Sequence, residues 1–141
     1  MITTIDKLFN IEYGQSEYEI KENLDEGRTI LIASGGVDNG LYAFCDIKPF
    51  YKAPFISVPR TGSIGQAFVQ EIDCCVSSDA LVLIPKENIE LEKLYQIAFQ
   101  TKNFSYSFLI LSKSPRLKGE LKISIKTSLT SFFTFSLSSS L

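Results

Sequence analysis

Residues 51–70 read YKAPFISVPRTGSIGQAFVQ. Pro54 and Pro59 bracket Phe-Ile-Ser-Val, an aromatic and β-branched run that predicts a strand at 55–58. A second run, Gln-Ala-Phe-Val, predicts a strand at 66–69. Between them lies Arg60-Thr61-Gly62-Ser63-Ile64-Gly65. Two glycines three apart let the backbone turn tightly and present N–H groups outward. Arg60 adds a fork of donors, and Thr61 and Ser63 add hydroxyls. Such a turn can hold a phosphate, face a base edge, or simply connect two strands. It is not a P-loop, because the Gly-Lys-Ser/Thr end is missing.

Working outward, the middle of the chain is β-rich. Strands are predicted at 29–33, 41–45 and 80–84, punctuated by Pro49, Pro54, Pro59 and Pro85. Between the first two lies Ser34-Gly35-Gly36-Val37-Asp38-Asn39-Gly40, whose glycines and asparagine tolerate positive φ. It lacks the G-x-G-x-x-G spacing of a dinucleotide site. Asp38 and Asn39 suit either ligand reading or an Asx turn. A helix is predicted at 16–26, where Ser16 and Glu19 form a capping box and Gly27 closes the end. A second is predicted at 91–102, with Leu91, Leu94, Tyr95 and Ala98 on one stripe. The elements imply an α+β domain over 1–123, with peripheral helices. Residues 124–141 hold ten Ser or Thr and one charge, Lys126, and read as either a marginal strand pair or a poorly ordered tail.

Composition removes several chemistries. The chain of 141 residues has no histidine, which excludes a Ser-His-Asp triad, a Cys-His pair and a histidine-ligated metal. No carboxylate cluster with nuclease spacing appears, so no catalytic or metal residue is assigned. Cys45, Cys74 and Cys75 form no C-x-x-C pair and read as buried small hydrophobes in a reducing compartment. The first residues lack the basic and apolar regions of a secretory signal, and no apolar run reaches membrane-spanning length. A soluble, cytoplasmic protein is expected. Net charge is −2, divided as −6 over 1–85 (6 basic, 12 acidic) and +4 over 86–141 (8 basic, 4 acidic). Counterion release therefore offers little general affinity for nucleic acid. The basic part around Lys113, Arg116, Lys118 and Lys122 is the candidate for phosphate contact, or a solvated face.

In this order and spacing, the segments YGQ (13–15), ASGGVDNG (33–40), YKAPFISVPRTGSIGQAFVQ (51–70) and CCVSSDALVLIPK (74–86), followed by the helix, resemble the target recognition domain of restriction-modification specificity subunits. The similarity is to the S subunits of type I systems and covers about residues 8–103. It implies a curved mixed sheet and a non-enzymatic DNA reader without a cofactor. The implied partners are double-stranded DNA, a methyltransferase subunit that methylates adenine, and a restriction subunit or second specificity half. Side-chain chemistry then suggests roles for a candidate set. Arg60 suits guanine or phosphate, Lys52 and Arg116 phosphate, and Gln15 and Asn39 adenine, with Asp38, Thr61 and Ser63 beside them. The chain departs from the family pattern after the second helix, where FSYSFLILSKSPRLKG (104–119) and the Ser/Thr-rich residues stand in place of a spacer helix. A half-subunit or truncated chain is expected from that departure. Two alternatives stay open: a fragment that occupies a partner subunit through Phe132, Phe133 and Phe135 without binding DNA, or an enzyme acting on a phosphorylated ligand at the 60–65 turn.

Overall fold

The computed structural model describes residues 2–15, 27–112 and 122–124, with side chains over 3–15 and 27–102. The element order is β1 (Ile2–Thr4), α1 (Ile5–Leu8), β2 (Phe9–Tyr13), β3 (Thr29–Ile32), β4 (Leu41–Cys45), β5 (Phe55–Pro59), β6 (Phe68–Gln70), β7 (Cys75–Val76), β8 (Ala80–Pro85), α2 (Leu91–Ser112) and β9 (Lys122–Ser124).

β2, β8, β5 and β6 pair in that order as a four-stranded antiparallel sheet. Its two inner strands read FISVP and ALVLIP, near-continuous apolar runs. Such runs fit a sheet covered on both faces, and alternation assigns the residues to sides. Ile56 and Val58 of β5, with Leu81 and Leu83 of β8, turn to one face and pack with Leu94, Ile97 and Ala98 of α2 and with Ile5 and Phe9. Phe55, Ala80 and Val82 turn to the other, against Ile32 of β3, Val76 of β7, Tyr51 and Cys74. The outcome is three layers: helix, four-stranded sheet, three-stranded sheet.

The third layer has the order β4-β3-β7, antiparallel between β3 and β4 and parallel between β3 and β7. The α+β class holds, and among the named strands the mixed pairing is confined to this sheet. Its inner face is Ile32, and its other face gathers Leu31, Cys45 and Cys75. All three cysteines are buried and free. Burial pushes the Cys74 thiol up to about 12, which keeps it protonated and unreactive.

The strands follow the predicted runs, with β6 starting two residues later and β8 extending through Pro85. The second helix starts where its stripe begins and continues to Ser112. The helix predicted at 16–26 lies outside the described residues. β1, α1, β2, β7 and β9 add to the predicted elements; all but β2 are four residues or shorter, too brief for a periodic signal. β9 pairs antiparallel with β1, through Thr3 and Ile123, and so straddles the expected boundary at residue 123. No helix among the described residues is long and apolar enough to cross a membrane.

Candidate functional site

Three segments far apart in sequence meet at one end of the four-stranded sheet. β2 runs out at Tyr13, which pairs with Leu81, and β5 runs out at Pro59, which pairs with Ala80. Beyond Tyr13, Gly14 donates its N–H to the Ala80 carbonyl at 3.0 Å, and Gln15 donates to the Val76 carbonyl at 2.8 Å. A side chain at 14 has no room: a Cβ there would stand 2.0 Å from the Ser77 carbonyl oxygen. Only glycine lets β2 approach the 76–77 backbone this closely.

Beyond Pro59 the Arg60 turn lies against the 33–40 loop. The Ser63 N–H donates to the Ser34 carbonyl at 3.1 Å. Gly62 has φ +60, and a Cβ would stand 2.8 Å from Ser34 Oγ. The two glycine-rich segments thus form one surface, which explains why both carry glycine where they touch.

Arg60 is held at three points. Its backbone N–H donates to the Asp79 carbonyl at 3.0 Å. Its Nε donates to the Ser78 carbonyl. Its guanidinium lies 4.8 Å over the ring of Tyr13, a cation–π contact. Tyr13 in turn offers its carbonyl to the hydroxyl of Tyr51, at 3.3 Å. The same hydroxyl accepts from Nε2 of Gln15 at 3.1 Å. Tyr51 is only 3% exposed, and burial raises its phenol above the usual value, so it remains a neutral donor. Tyr51 therefore ties Tyr13 and Gln15 together beneath the surface that Arg60 occupies.

Asn39 stands in a left-handed run, with φ of 51 at Asp38, 58 at Asn39 and 81 at Gly40. Its Nδ2 donates to the Val69 carbonyl and to Gln70 Oε1, both at 3.1 Å. Gln70 Nε2 returns a bond to the Asn39 carbonyl at 2.9 Å and bonds Ser57 Oγ at 3.0 Å. The Asn39 amide thus fastens the loop to β6. Asp38 and Thr61 are exposed, and Ser63 is half-buried against Gly36.

One predicted residue falls elsewhere. Lys52 lines a recess with Pro54, Ile84 and Pro85, at the opposite end of β5 and β8 from Arg60. Arg116 lies outside the described residues. Tyr51, Gln70, Ser77 and Asp79 belong to the site and are not among the predicted residues. Tyr51 stands within the 51–70 stretch, yet nothing in its spacing marks it as a support for Gln15.

Next to the Arg60 turn opens a cavity of about 440 Å³, with Ser34, Gly35, Tyr42, Ser77 and Asp79 in its wall. Among the described residues no group of His, Cys, Asp or Glu could hold a metal ion. The arrangement offers fixed polar groups on a rigid scaffold, suited to reading hydrogen-bond patterns.

The family model described as "Type I restriction modification DNA specificity domain" matches residues 1–129. No curated protein matches the chain in sequence. Among solved structures, the chain is similar to the type I restriction-modification S subunit of M. genitalium, with TM-score 0.70 and 21% identity, over 97% of this chain and 38% of that one. It is similar to the HsdS subunit of Thermoanaerobacter tengcongensis, with TM-score 0.65 and 11% identity, over 99% of this chain and 36% of that one. A third likeness is to a chain from a study of complex assembly and conformational transition in the type I R-M system, with TM-score 0.54 and 13% identity, over 99% and 37%. At these identities the likeness is one of fold, and this chain spans little more than a third of each solved chain. With the family model covering residues 1–129, the chain belongs to the type I restriction modification DNA specificity domain family.

Proposed function

We propose that this DNA specificity domain reads one half of a split target on double-stranded DNA and directs a partner adenine methyltransferase, with or without a restriction subunit, to that site. Methylation and cleavage belong to the partners in this reading, and the chain itself needs no cofactor. The protein works in the compartment that holds the DNA, the cytoplasm. The observation that carries the reading is the meeting of Tyr13, the Arg60 turn and the 33–40 loop at one sheet end, with Arg60 fixed by Ser78 and Tyr13.

Arg60 reads a base or a phosphate, and Thr61, Ser63 and Asp38 flank it. Gln15 reaches DNA only if it leaves Tyr51 or uses its carbonyl oxygen. Asn39 supports the loop rather than reading a base, Lys52 serves a phosphate away from the turn, and Arg116 serves a phosphate. A net charge of −2 gives little salt-dependent attraction, so binding requires the basic surface of a partner. The test is co-expression with a methyltransferase subunit, followed by gel shift and mapping of methylated sites. Arg60→Ala should weaken specific binding by about 1–3 kcal/mol and relax preference at one position if it reads a base. Unchanged affinity and preference would reject that role. A stable complex that shifts no DNA would favour the partner-occupying fragment instead.

A further inference from the structure

The side chain of Arg60 has five N–H donors, and the bond to Ser78 commits one of them. That donor is Nε, and the residue after Ser78, Asp79, accepts the Arg60 backbone N–H at 3.0 Å. The four other donors all belong to the two terminal nitrogens. An arginine held this way offers a pair of parallel bonds from its end, not from the side that carries Nε. Tyr13 restricts it further, with its ring centroid 4.8 Å from the central carbon of the guanidinium. That ring stands on fixed backbone. Tyr13 pairs with Leu81 at the end of β2, and its carbonyl accepts from the buried Tyr51 hydroxyl.

Charge separates the two roles open to Arg60, phosphate and base. The segments that meet here, 13–15, 33–40, 60–65 and 76–79, contain one cation, Arg60, against two carboxylates, Asp38 and Asp79. Such a balance gives little attraction for a phosphate, which asks for charge more than for direction. A base edge asks for the reverse, two donors at a set spacing. Guanine presents two adjacent acceptors, O6 and N7, on its major-groove edge, and a pair of guanidinium N–H groups matches both. Adenine sets an amine beside N7, so a second donor would meet a donor. Thymine offers O4 beside a methyl group, and cytosine offers an amine.

We propose that Arg60 reads a guanine in the major groove through its two terminal nitrogens, and that Tyr13 is the positioning residue that presents the guanidinium. The inference rests on the DNA reading above and names the base and the atoms taken by this part of the site.

The test uses the complex with a methyltransferase subunit and the duplex identified by its methylated sites. Each guanine in turn is replaced by 7-deazaguanine, which removes N7 alone. At one position this should weaken binding about five-fold. Arg60→Lys keeps the charge but not the fork, and should weaken target binding about ten-fold while leaving non-target binding unchanged. In that variant 7-deazaguanine should cost little more, because the two changes remove one interaction. Tyr13→Phe keeps the ring and should bind like the parent chain, whereas Tyr13→Leu should lose preference at that same guanine and at no other. An even loss on target and non-target duplexes in Arg60→Lys would reveal a phosphate contact and overturn the proposal. So would additive losses from Arg60→Lys and 7-deazaguanine, or a target at which no guanine responds to 7-deazaguanine. Parent-like preference in Tyr13→Leu would overturn the positioning role. The 7-deazaguanine series needs no altered protein, so it decides even where Tyr13→Leu does not fold. A parent complex that binds no duplex sinks the DNA reading and this proposal together, and specific binding without the coupling sinks this proposal alone.

Discussion

The four-stranded and three-stranded sheets share a core but meet solvent differently. β5 buries every one of its residues, whereas β4 buries only Cys45 and leaves Leu41, Tyr42 and Phe44 exposed. Apolar content does not account for the contrast, since LYAFC is as apolar as FISVP. Position does: β5 is an inner strand between two packed layers, and β4 is an edge strand among the described elements. The first sheet acts as the scaffold. The second carries the loop that meets the Arg60 turn, so binding chemistry sits where packing demands are lowest.

Substitutions can break this contrast. Leu83→Ala removes a fully buried side chain between β8 and α2 and should cost about 2–5 kcal/mol in a denaturant titration. A cost below about 1 kcal/mol would mean the four-stranded sheet is not the scaffold. Gly14→Ala, at the seam between the sheets, must displace the Ser77 backbone and should cost about 1–3 kcal/mol by thermal melting. A stability like that of the parent chain would show that the seam yields. Asn39→Ala strips two hydrogen bonds from the loop and leaves Gln70 Oε1 without that donor, so about 1–2 kcal/mol is expected. Amide exchange should quicken in β5 by that same free energy, and by at least as much in the 33–40 loop. Phe44→Thr keeps a strand-forming residue on the exposed side of β4 and should fall within about 0.5 kcal/mol of the parent chain. A larger loss would mean that this side is covered.

Legibility in the sequence follows the same contrast. β5 and β8 are readable because a short, near-continuous apolar run that ends at a proline seldom forms anything but a buried strand. The two-residue β7 is not, since its place is set by a parallel partner more than forty positions earlier. The turn at 60–65 and the loop at 33–40 are each legible as turns, but not their contact, which depends on the layering of two sheets. Asn39 shows a further limit. Its composition permits ligand reading or local support, and only the nearness of Gln70 and Val69 decides how its amide is spent. Lys52 stands eight positions from Arg60 in sequence, yet an intervening five-residue strand of about 17 Å separates them.

The segment from Cys75 to Pro85 enters the molecule as β7, in parallel register with β3, and leaves it as β8, between β2 and β5. Gln15 and Ser77 bridge in parallel at the crossing, and the Ser77 N–H donates to the Ile32 carbonyl at 2.8 Å. This one segment is thus common property of both sheets. Detaching either sheet exposes edges of the other, so partial opening gains little chain entropy for the contacts it loses. The four-stranded and three-stranded sheets are therefore expected to open as one cooperative foldon, in which Leu31 and Val58, buried in different layers, share the free energy of global unfolding. A ligand on the loop surface would then stabilise the distant α2 face as much as the loops themselves.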